Sequence, residues 1–248
     1  MNYNDIIPVN EVYPCIQGEG RLIGVPHLLI RTTGCRLKCQ FSGGSFCDTP
    51  YSSWNPEKGK FSLNNIVDIY KEFPNIRHTM ITGGAPTLHS KLLQELCTIG
   101  KEFGHYITIE TEGSEYVYTK ADLISLSPKL SNSIPIPGSK MGQQTVTDND
   151  RRQHVKWYRN IEAMKDLIKH HHDYQIKPVI SQQSDLNEVE ELLKELDVAK
   201  CKVYLMPEGL TKDQLESRRK WLIQLCIDRG YNFTDRLHII AYGDKRGV

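Results

Sequence analysis

Three cysteines, Cys35, Cys39 and Cys47, fall inside the glycine-rich stretch GCRLKCQFSGGSFCDTPYSSW with the spacing C-x3-C-x7-C. Thiolates gathered this closely serve soft metals or redox chemistry. A structural zinc ion takes four protein ligands, usually from two paired C-x2-C knuckles. Here there is no second knuckle, and the nearest histidine, His27, sits at the far end of a predicted strand. One reading is therefore a zinc site completed by a distant residue. The other is an iron–sulfur cluster, which normally has four cysteine ligands; with three, one iron stays open to an exogenous molecule.

The elements around this loop decide where it sits. HLLIRTT (His27–Thr33) reads as a buried strand running into the cysteines. SLNNIVDIYKEF is a helix with Ser62 as N-cap and Leu63, Ile66, Val67 and Tyr70 on one face. HTMITGG is a strand ending in glycines, KLLQELCTIGKEFG a helix stopped by Gly104, and YITIETEG the next strand. DLISLSPK, a helix near Val155–His170, the strand YQIKPVIS and a helix at Asp185–Leu196 continue the alternation. The strand CKVYLMPEG, a helix through DQLESRRKWLIQLCIDRG and a last strand RLHIIAYG complete it. Strands alternating with helices predict a mostly parallel α/β sheet, here an incomplete (β/α) barrel formed by one domain spanning 1–248. Ser131–Gln153 is the one long irregular stretch, polar enough to be a surface excursion or a lid.

Ligands of such sheets bind at the C-terminal ends of the strands. The unusual residues lie there: Gly34–Thr49, Thr82 to Gly84, Glu110–Gly113, Ser127 to Lys129 and Met206–Gly209.

Composition narrows the classes. The chain has 248 residues, 39% of them hydrophobic and 25% charged, with a formal charge of +1. No global basicity speaks for nucleic acid or a membrane surface. No apolar run nears the ~18 residues of a membrane span, and no basic-then-apolar export signal opens the sequence. Seven cysteines, an odd number, argue against a disulfide framework and for a reducing, cytoplasmic setting.

The segments VYPCIQGEGRLIGVPHLLIRTTGC, FCDT, MITGGAP, IETEGS, LSPK and RLHIIAYGDKRGV, in that order over nearly the whole chain, resemble a known family. They are similar to the radical S-adenosylmethionine (SAM) enzymes and, within them, to the 7-carboxy-7-deazaguanine synthases of the queuosine (7-deazaguanine) pathway. The resemblance implies a [4Fe-4S] cluster on Cys35, Cys39 and Cys47 whose open iron chelates the amino and carboxylate groups of SAM. An electron from the cluster then releases a 5′-deoxyadenosyl radical. The implied substrate is 6-carboxy-5,6,7,8-tetrahydropterin. The radical takes hydrogen from C6, the ring contracts, ammonia leaves and SAM is re-formed.

The resemblance also implies roles for particular residues. Ile16, Gln17 and Gly18 would meet the pterin edge through their backbone, Arg31 the substrate carboxylate, Thr82 the substrate, and the terminal carboxylate of Val248 the pterin donors. Gly83 and Gly84 would lie along the methionyl part of SAM, and Ser127, Pro128 and Lys129 along its ribose. Met206, Pro207, Glu208 and Gly209 would lie along the adenine, with Phe46 and Asp48 also on the cofactor side. Thr49 would touch a Mg2+ ion. Expected partners are the pterin, an electron donor such as flavodoxin and a second copy in a homodimer, with no nucleic acid and no membrane.

Two features depart from the family pattern. QFSGGSF makes the second cysteine interval five residues longer than the usual C-x2-C and is expected to bulge outward, leaving Cys47 within reach of the cluster. Ala85 stands where the family has a Glu that holds the SAM amino group, with Glu110 and Glu112 as candidate replacements.

Plainer readings stand beside these. Cys15, Cys97, Cys201 and Cys226 read as small buried hydrophobes, His170–His172 as a solvated helix end, ESRRK as a solvated helix face, and Arg31 as the partner of a core acid. The rival functions are another radical SAM enzyme, such as a glycyl-radical activase, and a non-catalytic relative that binds a pterin or a partner.

Overall fold

A computed structural model describes residues 1–247; Val248, the expected donor of the terminal carboxylate, lies outside the described residues. The chain opens with β1 (Val9–Ile16), which pairs antiparallel with β2 (Pro26–Thr32), Tyr13 opposite Leu29 and Cys15 opposite His27. β1 has no counterpart among the predicted strands. Pro14 and the polar Asn10 and Glu11 break its pattern, which an edge strand tolerates.

From β2 onward the predicted alternation holds. α1 (Leu63–Glu72) leads to β3 (His78–Gly83), and α2 (Ser90–Glu102) to β4 (Tyr106–Thr111) and β5 (Leu123–Leu126). A short hairpin, β6 (Lys140–Met141) and β7 (Gln144–Thr145), precedes α3 (Asp148–Trp157) and α4 (Ile161–His170). β8 (Tyr174–Ile176) and β9 (Val179–Ile180) are followed by α5 (Asp185–Leu196), β10 (Tyr204–Pro207), α6 (Lys212–Arg229), β11 (Asn232–Phe233) and α7 (Leu237–Tyr242).

The main sheet has the order β1-β2-β3-β4-β5-β8, parallel from β2 on; a second parallel sheet runs β9-β10-β11. A single bridge, Ile176 to Val203, joins them. β8 and β9 are thus one strand interrupted at Lys177-Pro178, where proline removes a donor. The result is an α/β arc of mostly parallel strands. The turn after β1 reaches the far end of the arc, where the Leu237 N–H donates to Gly18 O at 2.9 Å and the Gly20 N–H to Thr234 Oγ1 at 2.6 Å.

Strand alternation sorts the two faces. Leu28, Ile30, Ile81, Ile107, Ile109, Ile124 and Leu126 pack under the helices in one core. Tyr13, Cys15, Leu29, Arg31, Met80, Thr82 and Glu110 turn to the concave side and line a cavity.

Five expectations need correction. RLHIIAYG is a helix, because the buried Arg236 fixes its start and only Ile239 needs burial, which one helical turn supplies. The helix near Val155–His170 is two helices, the second restarted by Asn160, whose side chain caps the Ala163 N–H. Ser131–Gln153 is not wholly a surface excursion: Asn132, Ser133 and Val146 are buried, and α3 begins within it on a Thr147–Asp150 capping box. Cys201 is exposed, whereas Cys97 and Cys226 are buried as expected. Of the histidine tract, His171 is buried against Thr119 and the Leu167 carbonyl.

Candidate active site

The cavity at the C-terminal strand ends measures about 440 Å³, within the range of small-molecule sites. Cys35, Cys39 and Cys47 all face it. Cys35 follows β2 directly. Cys39 and Cys47 stand at the base of a small hairpin, where the Cys47 N–H donates to Cys39 O at 3.2 Å and Gln40 bridges Phe46. The seven intervening residues therefore fold back on themselves, and the longer interval leaves the backbones of Cys39 and Cys47 side by side. QFSGGSF does not bulge outward as expected. Its backbone is held by Ser133 O (from Gln40 N, 3.0 Å) and Asn132 O (from Ser42 N, 2.7 Å), and Ser45 is buried. Trp54 supports it from below, donating to Cys39 O at 3.2 Å and meeting Phe46 edge-on. His154 of α3 accepts the Lys38 N–H at 3.2 Å; burial pushes its imidazole down to about 4, so it stays a neutral acceptor.

Burial raises the pKa of all three thiols. For Cys35, Glu112 and the other two cysteines raise it further; at Cys39, Lys129 opposes the shift.

Glycines shape the adjoining wall. At Gly83 (φ +144°) an added Cβ would lie 2.2 Å from Thr32 O, and at Gly84 it would lie 2.3 Å from both Gly34 O and Ser52 O. Only glycine lets the end of β3 pass this close beneath the cysteine loop.

Most predicted positions meet here. Ile16, Gln17, Gly18, Arg31 and Thr82 line the cavity, as do Phe46, Asp48 and Thr49. Gly83, Gly84, Ser127, Lys129 and the turn Met206, Pro207, Glu208 and Gly209 complete the wall. Pro128 does not line it, since it sits between two residues tied together by Lys129 Nζ, which donates to Ser127 O at 2.8 Å and Ser127 Oγ at 2.9 Å. Thr49 Oγ1 lies 3.6 Å from Cys47 Sγ. Cys15, read as a buried hydrophobe, is half-buried on the cavity wall.

A network of mostly buried charges, of which the sequence reading had singled out only Asp48 and Glu110, holds these segments together. Arg236 donates through Nε to Glu19 at 3.0 Å, through Nη1 to Gly209 O at 2.6 Å, and through Nη2 to Asp48. One guanidinium thus joins the turn after β1, the cysteine loop and the turn after β10, using the donor fork that suits Arg to such a role. Lys177, only 1% exposed, pairs with both Glu19 and Glu110. Burial alone would raise the Glu19 carboxyl, but Lys177, Arg236 and His238 outweigh it and hold it well below the usual carboxylate range. The signal was available in QGEG and RLH, but charged residues far apart in sequence give no clue to their partner.

Arg31 bears out the plainer reading: its Nε donates to Glu11 at 2.6 Å, while the side chain still lines the cavity. Glu11 also accepts from Tyr51 Oη at 3.1 Å and from Arg246. Arg246 lies 3.7 Å over the Tyr51 ring and grips Glu57 through both Nη atoms at 2.8 and 2.9 Å. This pins the tail, so that Asp244, Lys245, Arg246 and Gly247 line the cavity mouth. Ala85 is wholly buried. Of the two carboxylates proposed to replace a Glu there, Glu110 is taken by Lys177. Glu112, 5% exposed on the cavity wall, forms side-chain hydrogen bonds with the hydroxyls of Thr111 and Ser114 and no ion pair among the described residues.

Cys35, Cys39 and Cys47 face one cavity, a donor set of three thiols that fits a cluster with one iron left open.

A family model described as the radical SAM superfamily matches residues 29–182. A 7-carboxy-7-deazaguanine synthase of Rhodopirellula baltica is 35% identical over 97% of this chain and 88% of its own length. One from Halobacterium salinarum is 32% identical over 96% and 91%. The crystal structure of QueE from Escherichia coli superposes with a TM-score of 0.65, covering 94% of this chain and 95% of that one at 21% identity, and so shares the fold. The chain therefore belongs to the radical SAM superfamily and, within it, to the 7-carboxy-7-deazaguanine synthases.

Proposed function

We propose that this chain is a radical SAM lyase that converts 6-carboxy-5,6,7,8-tetrahydropterin to 7-carboxy-7-deazaguanine with loss of ammonia. One observation carries the reading: the three-cysteine hairpin, the glycine-lined end of β3, the Gln17–Gly18 turn and the pinned tail all face one cavity. When bound, the [4Fe-4S] cluster and SAM supply the radical that abstracts hydrogen. The chain's own residues position and enclose the reactants. Cys35, Cys39 and Cys47 hold the cluster. Gly83 and Gly84 give SAM a close backbone surface, Ser127 and Lys129 offer polar contacts to its ribose, and the Met206–Gly209 turn flanks its adenine. Glu112, a buried carboxylate on the cavity wall with no ion pair among the described residues, takes the SAM ammonium in place of the missing Glu at Ala85; a buried carboxylate gains strongly from such a charge-assisted bond.

Arg31, whose Nε is engaged by Glu11, offers its Nη edge to the substrate carboxylate. Ile16, Gln17 and Gly18 meet the pterin edge, Thr82 faces the ring, and the terminal carboxylate of Val248, which lies outside the described residues, is assigned to the pterin donors. Thr49 is proposed as a Mg2+ contact, a hard oxygen ligand of the kind that ion takes. The buried Lys177–Glu19–Arg236 network fixes these segments, so little reorganisation is needed on binding.

We further propose one catalytic domain, a one-electron donor such as flavodoxin, a homodimer and a cytoplasmic setting. Seven unpaired cysteines favour the last. Among the described residues, no helix is long and apolar enough to cross a membrane. Anaerobic reconstitution with iron and sulfide, followed by incubation with SAM, reductant and the carboxypterin, tests the reading. Formation of 7-carboxy-7-deazaguanine, measured by mass spectrometry, is the expected result. Loaded cluster without product would overturn it.

A further inference from the structure

The cysteine hairpin is also fastened near its tip, by the turn after β10. Ser45, near its tip, donates its N–H to Glu208 Oε1 at 3.0 Å. Glu208 is 2% exposed and is held in turn by Arg218 of α6, whose Nη2 lies 3.4 Å from Glu208 Oε2. The same Nη2 lies 3.4 Å from Gly43 O, and Arg218 Nε donates to Ser181 O at 3.1 Å. The pair therefore clasps the hairpin at two places, Gly43 and Ser45, on either side of the exposed Gly44.

Gly43 shows how close this clasp is. A Cβ there would fall 1.8 Å from Glu208 Oε2 and 2.2 Å from Arg218 Nη2. Those atoms are the ends of flexible side chains, and Gly43 has no left-handed φ. An alanine would thus push the clasp open without straining the backbone.

We propose that Glu208 and Arg218 are positioning residues for the cysteine hairpin, with Gly43 as the gap that admits them, and that this clasp sets how firmly Cys47 holds its iron. The physical route is short. Cys47 lies two residues from Ser45, and its own N–H is tied to Cys39 O. A hairpin fixed at both tip and base cannot splay, so the two thiols stay at one separation. With the tip released, the Cys47 arm keeps the bond at the base, the Phe46–Trp54 contact and the Asp48–Arg236 pair, but loses its tie to Glu208 and through it to α6. The inserted residues are then not a tolerated excess but the means by which α6 is coupled to the third thiol.

This inference rests on the cluster assignment above, and the experiment separates the two. The parent protein, G43A, E208A and E208Q are reconstituted anaerobically, and iron release to an excess chelator is timed by absorbance. Low-temperature electron paramagnetic resonance of the reduced cluster is recorded for each. If the parent binds no four-iron cluster, the functional reading itself fails. If it does, G43A and E208A are expected to lose iron on the order of tenfold faster, as loss of a charge-assisted hydrogen bond implies, and to show a shifted resonance. E208Q, which retains an acceptor for the Ser45 N–H, should stay closer to the parent than E208A. Apo-protein melting of G43A should match the parent. Equal iron-release rates and unchanged spectra in G43A would overturn the proposal, even if E208A cannot be prepared folded.

Discussion

Lys177→Met tests whether the buried charge network organises the site. Lys177 is 1% exposed and neutralises Glu19 and Glu110, whose side chains are 13% and 19% exposed. Methionine fills similar volume, so packing changes little while the cation disappears. Breaking a buried ion pair from one side costs about 3–5 kcal/mol, since a charge is left without its partner. The low end applies here, because Glu19 keeps Arg236 while Glu110 loses the one cation bound to it among the described residues.

For a domain of this size, a loss of about 3 kcal/mol lowers the melting temperature by roughly 6–12 °C. The pH dependence gives the sharper check. In the parent, Glu19 has a depressed pKa, so its contribution is present above the unfolded carboxylate value and is lost as pH falls toward the folded one. In the variant, Glu19 loses one of the cations that hold its carboxyl down against burial, so it protonates more readily and acid relieves part of the penalty. Melts between pH 8 and 5 should therefore show the deficit shrinking as pH falls, and E110Q added to the variant should recover part of it at pH 8. A deficit that is constant with pH, or below about 1 kcal/mol, would show that the network does not carry the stability assigned to it.

E112Q should weaken SAM binding to the reconstituted protein by roughly ten- to a hundredfold, as measured by equilibrium dialysis, with iron content unchanged; parent-like affinity would exclude Glu112 as the ammonium acceptor. C47S should lose most of its reconstituted iron, whereas C15S, altered at a half-buried wall residue with a thiol pushed up to about 11 by burial, should retain it. Two residues added after Val248 should lower kcat/KM about ten- to a hundredfold by displacing the carboxylate, with melting unchanged. R246A should have a similar kinetic effect and a small effect on stability, because its Glu57 contacts are partly exposed and screened and the buried Glu11 keeps Arg31.

The sequence by itself determined the local and repetitive features. Apolar periodicity marked β2, β3, β4, β5, the interrupted strand β8–β9, β10 and most helices, but not the β6–β7 hairpin, because a residue facing the core must be apolar whatever its distant neighbours are. Spacing singled out Cys35, Cys39 and Cys47, and glycines and turns marked the strand ends where the cavity lies. It misread α7 as a strand and gave no warning of β1, since a short run with one buried residue, and an edge strand with polar positions, carry weak periodicity.

Only the tertiary structure decided which charges meet. Glu19 finds Arg236 from across the chain, Glu11 takes both Arg31 and Arg246, and Glu208 reaches back to Ser45. An ion pair needs two side chains at one point in space, and no pattern in either local stretch encodes its partner. The inserted cysteine interval turned inward for the same reason. Its composition allowed flexibility, but the acceptors that hold it, Asn132 O, Ser133 O and Glu208, lie in segments about ninety and more residues downstream in a sequence that is threaded through the fold.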